Sequence, residues 1–195
     1  MKKILVAALL STFVAAPVFA APNGADAGAY GGFTVGQSQT DSPVSYISTD
    51  DKDTGGSIFL GYQYTKNWGV EAFYAQVGKQ NVQNAGATIT GTGDSDAYGL
   101  NVVGTAPLND SFSLYGKLGY ARTQTDFASA PAGNLVGRDL SGVTGGIGGI
   151  YNIDKKVGIR FGVDRYELST LVGLVGAVED KYWSDVWSVG IAFKF

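Results

Sequence analysis

Four charged side chains, Glu71, Lys117, Arg160 and Asp164, stand singly inside stretches where apolar and small residues alternate. Two acids and two bases in such positions suit two kinds of chemistry. They can pair and close a desolvated interior, since an unpaired charge held away from water is costly. Alternatively, they can line a narrow polar conduit and rearrange to pass ions. Acid–base catalysis has weaker support: Asp53 and Glu179 are carboxylates of the right type, but nothing in the sequence brings them together. The chain has no Cys and no His. That removes thiol nucleophiles, disulfides, imidazole bases, the Ser-His-Asp triad and zinc sites built on those residues. The expectation is a protein that is not an enzyme.

Two further motifs are weaker than they look. Asp51-Lys52-Asp53-Thr54-Gly55-Gly56 begins like a calcium loop, but Gly55 stands where a ligand oxygen is needed and Tyr62 where the closing Glu would be. Gly145-Gly146-Ile147-Gly148-Gly149 is rich in glycine but lies in a strand pattern with no helix after it, so close packing explains it better than a phosphate cradle. No metal and no cofactor is expected. The net charge of -3 argues against a nucleic-acid partner.

The elements that must position these residues begin after a targeting segment. Lys2 and Lys3 precede an apolar run from Ile4 to Val14 and a small-residue stretch ending Ala20-Ala21, the three-part form of a secretory signal peptide. Residues 1–20 are read as that signal, cleaved after Ala20, and residues 21–195 as one domain. No later stretch approaches the ~18 apolar residues of a helical span. Instead the chain shows period-two alternation, the strand signature. Strands are predicted at about 28–37, 55–64, 68–78, 96–106, 112–122, 141–151, 157–167 and 184–195. Long connections alternate with short ones, so a meander would carry all its short turns at one end and all its long loops at the other. Ten residues rising ~3.4 Å each at a tilt of ~40° cover roughly 26 Å, close to the ~25 Å apolar band of a membrane barrel.

Alternation alone leaves open which face is inside, and the polar face decides. On the last strand Trp187, Val189, Ile191, Phe193 and Phe195 share one face, while Val186, Ser188, Gly190 and Ala192 share the other with Lys194. A face bathed by bulk water would carry more charge. Small residues suit the crowded interior of an eight-stranded barrel, and only 16% of the chain is charged, against ~25% in soluble domains. Trp68, Phe112, Phe193 and Phe195 fall near the short-turn end and Tyr74, Trp183 and Trp187 near the long-loop end, as aromatic girdles at two membrane interfaces would. The fold class is therefore all-β: an eight-stranded antiparallel up-and-down transmembrane β-barrel. In it the alternation puts Glu71, Lys117, Arg160 and Asp164 on the lumen face, expected to pair across it, with Lys194 nearer the mouth. The fourth connection, with Leu171, Val172, Leu174, Val175, Ala177 and Val178, is unusually apolar for a loop. Either strand seven continues past Leu168, or the loop folds over the mouth, or the patch meets a partner or lipid.

Five stretches carry a family resemblance: Tyr30 to Ser38, Gly61 to Tyr74, Leu114 to Tyr120, Val157 to Tyr166, and Trp187 to Phe195. In this order they resemble the eight-stranded outer-membrane β-barrel family typified by the OmpA transmembrane domain, over essentially all of the mature chain. The peptidoglycan-binding domain of full-length OmpA has no counterpart before Phe195, so a wall-tethering role is not implied. The resemblance implies a multi-pass protein of the bacterial outer membrane, termini in the periplasm and four loops outside. It also implies a role in envelope integrity and in surface interaction of the adhesion type. The alternative is a narrow ion or small-solute channel. Implied partners are outer-membrane lipids and lipopolysaccharide, host or phage ligands at the loops, and the outer-membrane assembly machinery, for which Phe193 and the terminal Phe195 resemble the recognition signal.

Overall fold

A computed structural model describes residues 27–40, 52–83, 90–129, 138–172 and 178–195. The expected signal peptide and most of the long connections lie outside the described residues. All regular structure among the described residues is strand: β1 (Gly28–Thr40), β2 (Lys52–Gln63), β3 (Trp68–Gln83), β4 (Thr90–Pro107), β5 (Phe112–Ser129), β6 (Arg138–Asn152), β7 (Val157–Val172) and β8 (Val178–Lys194). Each strand pairs antiparallel with its sequence neighbours, and β8 pairs with β1 to close the barrel. Closure leaves no edge, so every ladder is satisfied from within the chain.

Strand number and order match the sequence expectation, whereas strand length exceeds it at the long-loop end. There β3 runs to Gln83, β5 to Ser129 and β7 to Val172, and their partners start correspondingly early. Apolar alternation marks only the part of a strand that meets lipid, while backbone pairing continues wherever a partner strand is available. The fourth connection shows this directly. Leu168 pairs with Tyr182 and Val172 with Val178, so much of the apolar stretch belongs to the β7–β8 ladder.

The three short turns share one hydrogen-bond frame. A residue with a side-chain acceptor, Thr65, Asn109 or Asp154, receives the backbone N–H two and three positions on: Asn67 and Trp68 (3.3 and 3.1 Å), Ser111 and Phe112 (2.9 and 2.8 Å), and Lys156 and Val157 (2.6 and 2.8 Å). Such side chains substitute for backbone partners in tight turns. The last carbonyl of each turn then accepts from the end of the next strand but one, Asn67 from Thr105 on β4, Ser111 from Asn152 on β6 and Lys156 from Lys194 on β8.

Register fixes the tilt. A row of paired residues runs Tyr30, Gly61, Glu71, Asn101, Gly119, Thr144, Tyr166, Ser184 and returns to β1 at Thr40, ten residues beyond its start. This stagger tilts the strands and sets a narrow interior that side chains fill. Phe59, Phe73, Ala75, Val77, Ala97, Ala121, Tyr166 and Val186 form the buried lumen cluster, while Leu60, Leu100, Leu118, Ile147, Trp187 and Val189 are exposed on the outside. The apolar surface is thus turned outward around a mixed core, as a lipid solvent requires.

Candidate functional site in the lumen

All four charged residues singled out in the sequence point into the lumen, and they meet. Glu71 on β3 is 1% exposed, and Arg160 and Asp164 on β7 are also buried. Arg160 donates to Glu71 through two bonds, Nη1 to Oε2 at 2.6 Å and Nη2 to Oε1 at 3.2 Å. In a ring of eight strands β3 and β7 are opposite one another, so this fork-on-carboxylate contact spans the barrel. Lys117 on β5 places Nζ 2.9 Å from Asp164 Oδ1 and 3.8 Å from Glu71 Oε1, and donates to Asp164 Oδ2 at 3.0 Å. Two positive and two negative charges form one neutral cluster. Bidentate Arg–carboxylate geometry makes the longer strut directional as well as charged.

Aromatic groups complete the cluster, and the sequence reading did not assign them to it. Tyr30 donates its hydroxyl to Glu71 Oε2 at 3.2 Å. The Arg160 guanidinium lies 4.4 Å from the Phe59 ring centroid and 4.3 Å from that of Tyr115, and Lys117 Nζ lies 6.0 Å from that of Phe73. Cations held against ring faces gain from the quadrupole and lose little packing. The rings fit because glycines stand beside them in the paired rows. A Cβ on Gly61, between Tyr30 and Glu71, would collide with the Tyr30 ring. One on Gly146, between Lys117 and Asp164, would strike the Asp164 carboxylate, and one on Gly148 the Tyr115 ring. The glycine-rich segment of β6 is accordingly a bed for cross-strand side chains. An interior aromatic with a glycine at its paired position is the signal that would have found Tyr30 and Tyr115.

The other predicted positions lie outside the lumen cluster. Trp68, Tyr74, Trp183, Trp187, Phe193 and Phe195 are exposed on the outer surface, and Phe112 stacks there on Phe161. Phe193 pairs with Gly31 and Val157, and the Phe195 N–H donates to Ala29 O, which fixes the chain end to β1. Lys194 is exposed at the short-turn mouth. On the outer surface at the long-loop end, Arg165 forks onto Asp185 through two 2.6 Å bonds. Residues Lys52–Gln63, which include most of the calcium-like motif, form β2.

An inverted apolar surface on a closed eight-stranded barrel has a match in sequence: residues 6–195 fit the outer membrane protein beta-barrel domain family. The chain belongs to this outer-membrane β-barrel family. Solved structures share the fold at low identity. OprG of Pseudomonas aeruginosa is 20% identical with a TM-score of 0.64, over 88% of this chain and 98% of that one. Neisserial surface protein A is 14% identical with a TM-score of 0.62, over 87% and 99%. Ail, the attachment invasion locus protein of Yersinia pestis, is 20% identical with a TM-score of 0.56, over 87% and 97%, in a structure with the heparin analogue sucrose octasulfate. No curated protein sequence matches the chain. Membership in the outer-membrane family makes the outward face lipid-facing and the charged cluster the content of a membrane-spanning lumen.

Proposed function

We propose that this protein is a closed, non-catalytic outer-membrane barrel whose role is envelope support and surface interaction of the adhesion type, exerted through its external loops. The observation that carries this reading is the strut between Arg160 and Glu71, sandwiched between Phe59 and Tyr115. Ion passage would require Arg160 to leave a bidentate partner and two ring faces at once. A lumen occupied in this way leaves the chemistry of the molecule to its ends. The long connections carry polar and small residues such as Asn84, Thr88, Asn134 and Ser42, suited to presenting hydrogen-bonding groups to ligands. Ail, which shares the fold and was solved in complex with a heparin analogue, supports a ligand-binding role in this reading, with lipopolysaccharide as the lipid partner of the outer leaflet.

Conductance across a planar bilayer tests it. Purified protein is expected to give no reproducible single-channel steps. Steps that recur, and that change in size in the Lys117→Ala variant, would replace this reading with that of a narrow channel.

A further inference from the structure

The lipid-facing wall is dented near its short-turn end. Gly104 on β4 pairs with Gly116 on β5, in a row that runs from Trp68 on β3 to Ile147 on β6. Trp68 and Ile147 are exposed on the outside, so two ridges flank two neighbouring positions that carry no side chain. The result is an open groove of about 290 Å³ walled by Trp68, Ala106 and Leu114, with Asn67 at its turn end. Asn67 donates Nδ2 to Thr105 O at 2.9 Å, which fixes the first turn against β4. The packing of the barrel does not call for these two glycines. A Cβ on Gly119, Gly146 or Gly148 would collide with a carbonyl oxygen of the adjoining strand. One on Gly104 would rest in ordinary contact with the Trp68 ring, and one on Gly116 would meet nothing nearer than Gly146 O at 4.0 Å.

Glycine inside a strand weakens it, and one that the chain's own packing does not require marks a close approach by another molecule. Elsewhere on the outer face the chain covers such a place itself: the Phe112 and Phe161 rings lie over Gly149. Over Gly116 no described residue does so. The surroundings indicate what would fill the groove. Its walls are apolar and face lipid, which suits an aliphatic chain. Two exposed charges stand at its turn end, Lys66 next to Asn67 and Asp110 in the turn that leads into β5. One cation and one anion beside an aliphatic slot match a zwitterionic headgroup, with phosphate for Lys66 and amine for Asp110. Short turns face the periplasm in outer-membrane barrels, the side on which the membrane is built of phospholipid. A second copy of the chain fits less well, because a two-fold axis through this face would set groove against groove and leave the space unfilled.

We propose that the groove over Gly104 and Gly116 binds one zwitterionic aminophospholipid, an acyl chain laid across the two glycines and the phosphate beside Lys66. The site is independent of what the external loops recognise. Titrating phosphatidylethanolamine into the isotope-labelled protein in detergent micelles tests it. The amide signals of Asn67, Gly104 and Gly116 are expected to shift saturably, with one lipid per barrel. Shifts spread evenly round the outer face without saturation would show bulk lipid contact only and overturn the proposal. Shifts that grow with protein concentration in the absence of lipid would make the face a contact between copies and overturn it as well. Gly116→Leu fills the groove where the wall leaves room, so it should keep a compact unboiled band and lose the saturable response; a response equal to wild type overturns the site. Lys66→Gln should raise the half-saturating lipid concentration about fivefold, the worth of one lysine beside a lipid phosphate. Phosphatidylglycerol, which has no amine, should also need more lipid than phosphatidylethanolamine, and an equal midpoint overturns the zwitterionic assignment.

Discussion

At the scale of single residues, the lumen cluster makes an asymmetric prediction about Glu71. Removing one partner of a buried pair costs about 3–5 kcal/mol, while replacing both by apolar groups of similar volume is often close to neutral. Glu71→Ala leaves Arg160 against two rings with no counter-charge, and Lys117 with Asp164 alone. Urea unfolding in lipid, followed by tryptophan fluorescence, should show a loss of about 3–5 kcal/mol. Much of that loss should return in the double variant Glu71→Leu, Arg160→Met. An unchanged midpoint for Glu71→Ala would show that the strut does not stabilise the fold. The four charged residues were legible in the sequence because period two assigns every residue a face. Their partners were not, because pairing also depends on height along the barrel, which the stagger sets and the alternation does not encode. Only the side-chain geometry shows that Arg160 takes Glu71 while Lys117 takes Asp164. Tyr30 and Tyr115 were hidden for a different reason: in a membrane barrel an aromatic suggests the lipid interface first, and only a paired glycine reveals an inward ring.

Among the elements, turns and lipid-facing strands obey separate rules and are tested separately. In the third short turn the N–H groups of Lys156 and Val157 both point at the Asp154 carboxylate and hold its pKa below the usual aspartate value. A carboxylate favoured in the folded state supports the turn above its unfolded pKa, and that support is lost as pH falls through the lower folded value. The amide shifts of Lys156 and Val157 should therefore be flat from neutral pH to about 5 and titrate only below the ~3.9 of a free aspartate. In Asp154→Asn the cap persists and the titration disappears. A midpoint above the free value would mean that the two N–H groups do not favour the charged form. Lipid-facing strands respond to charge instead. Leu118, 65% exposed halfway along the membrane-crossing part of β5, should cost about 2–4 kcal/mol as Leu118→Arg, the range for Arg at the bilayer midplane. The same replacement at Leu108, beside the turn that precedes β5, should cost about 0–1 kcal/mol. Equal costs at the two sites would place the outer face in water rather than lipid. Strand ends resisted sequence reading because the ladders of β3, β4, β5 and β7 continue beyond the apolar pattern that marks them.

For the whole molecule, closure makes the fold a single cooperative object. Every strand is held on both sides, the last residue is tied to Ala29, and the opposite walls are joined by the Glu71–Arg160 strut. The lumen therefore cannot be opened to detergent without breaking ladders on all sides. The barrel should resist dodecyl sulfate at room temperature and unfold in it only on heating. Outer-membrane protein run unboiled should accordingly travel as a compact, faster band and shift to the slower position of its unfolded chain after boiling. Glu71→Ala keeps all eight ladders, so its unboiled band should still be compact but should shift at a lower temperature than the wild type. This separates two contributions that static geometry merges, the hydrogen-bonded wall and the charged core. A variant band that needs the same temperature would assign the resistance to the wall alone. A wild-type protein that shows no shift and appears in the aqueous periplasmic fraction would mean that the exposed apolar face meets something other than a bilayer.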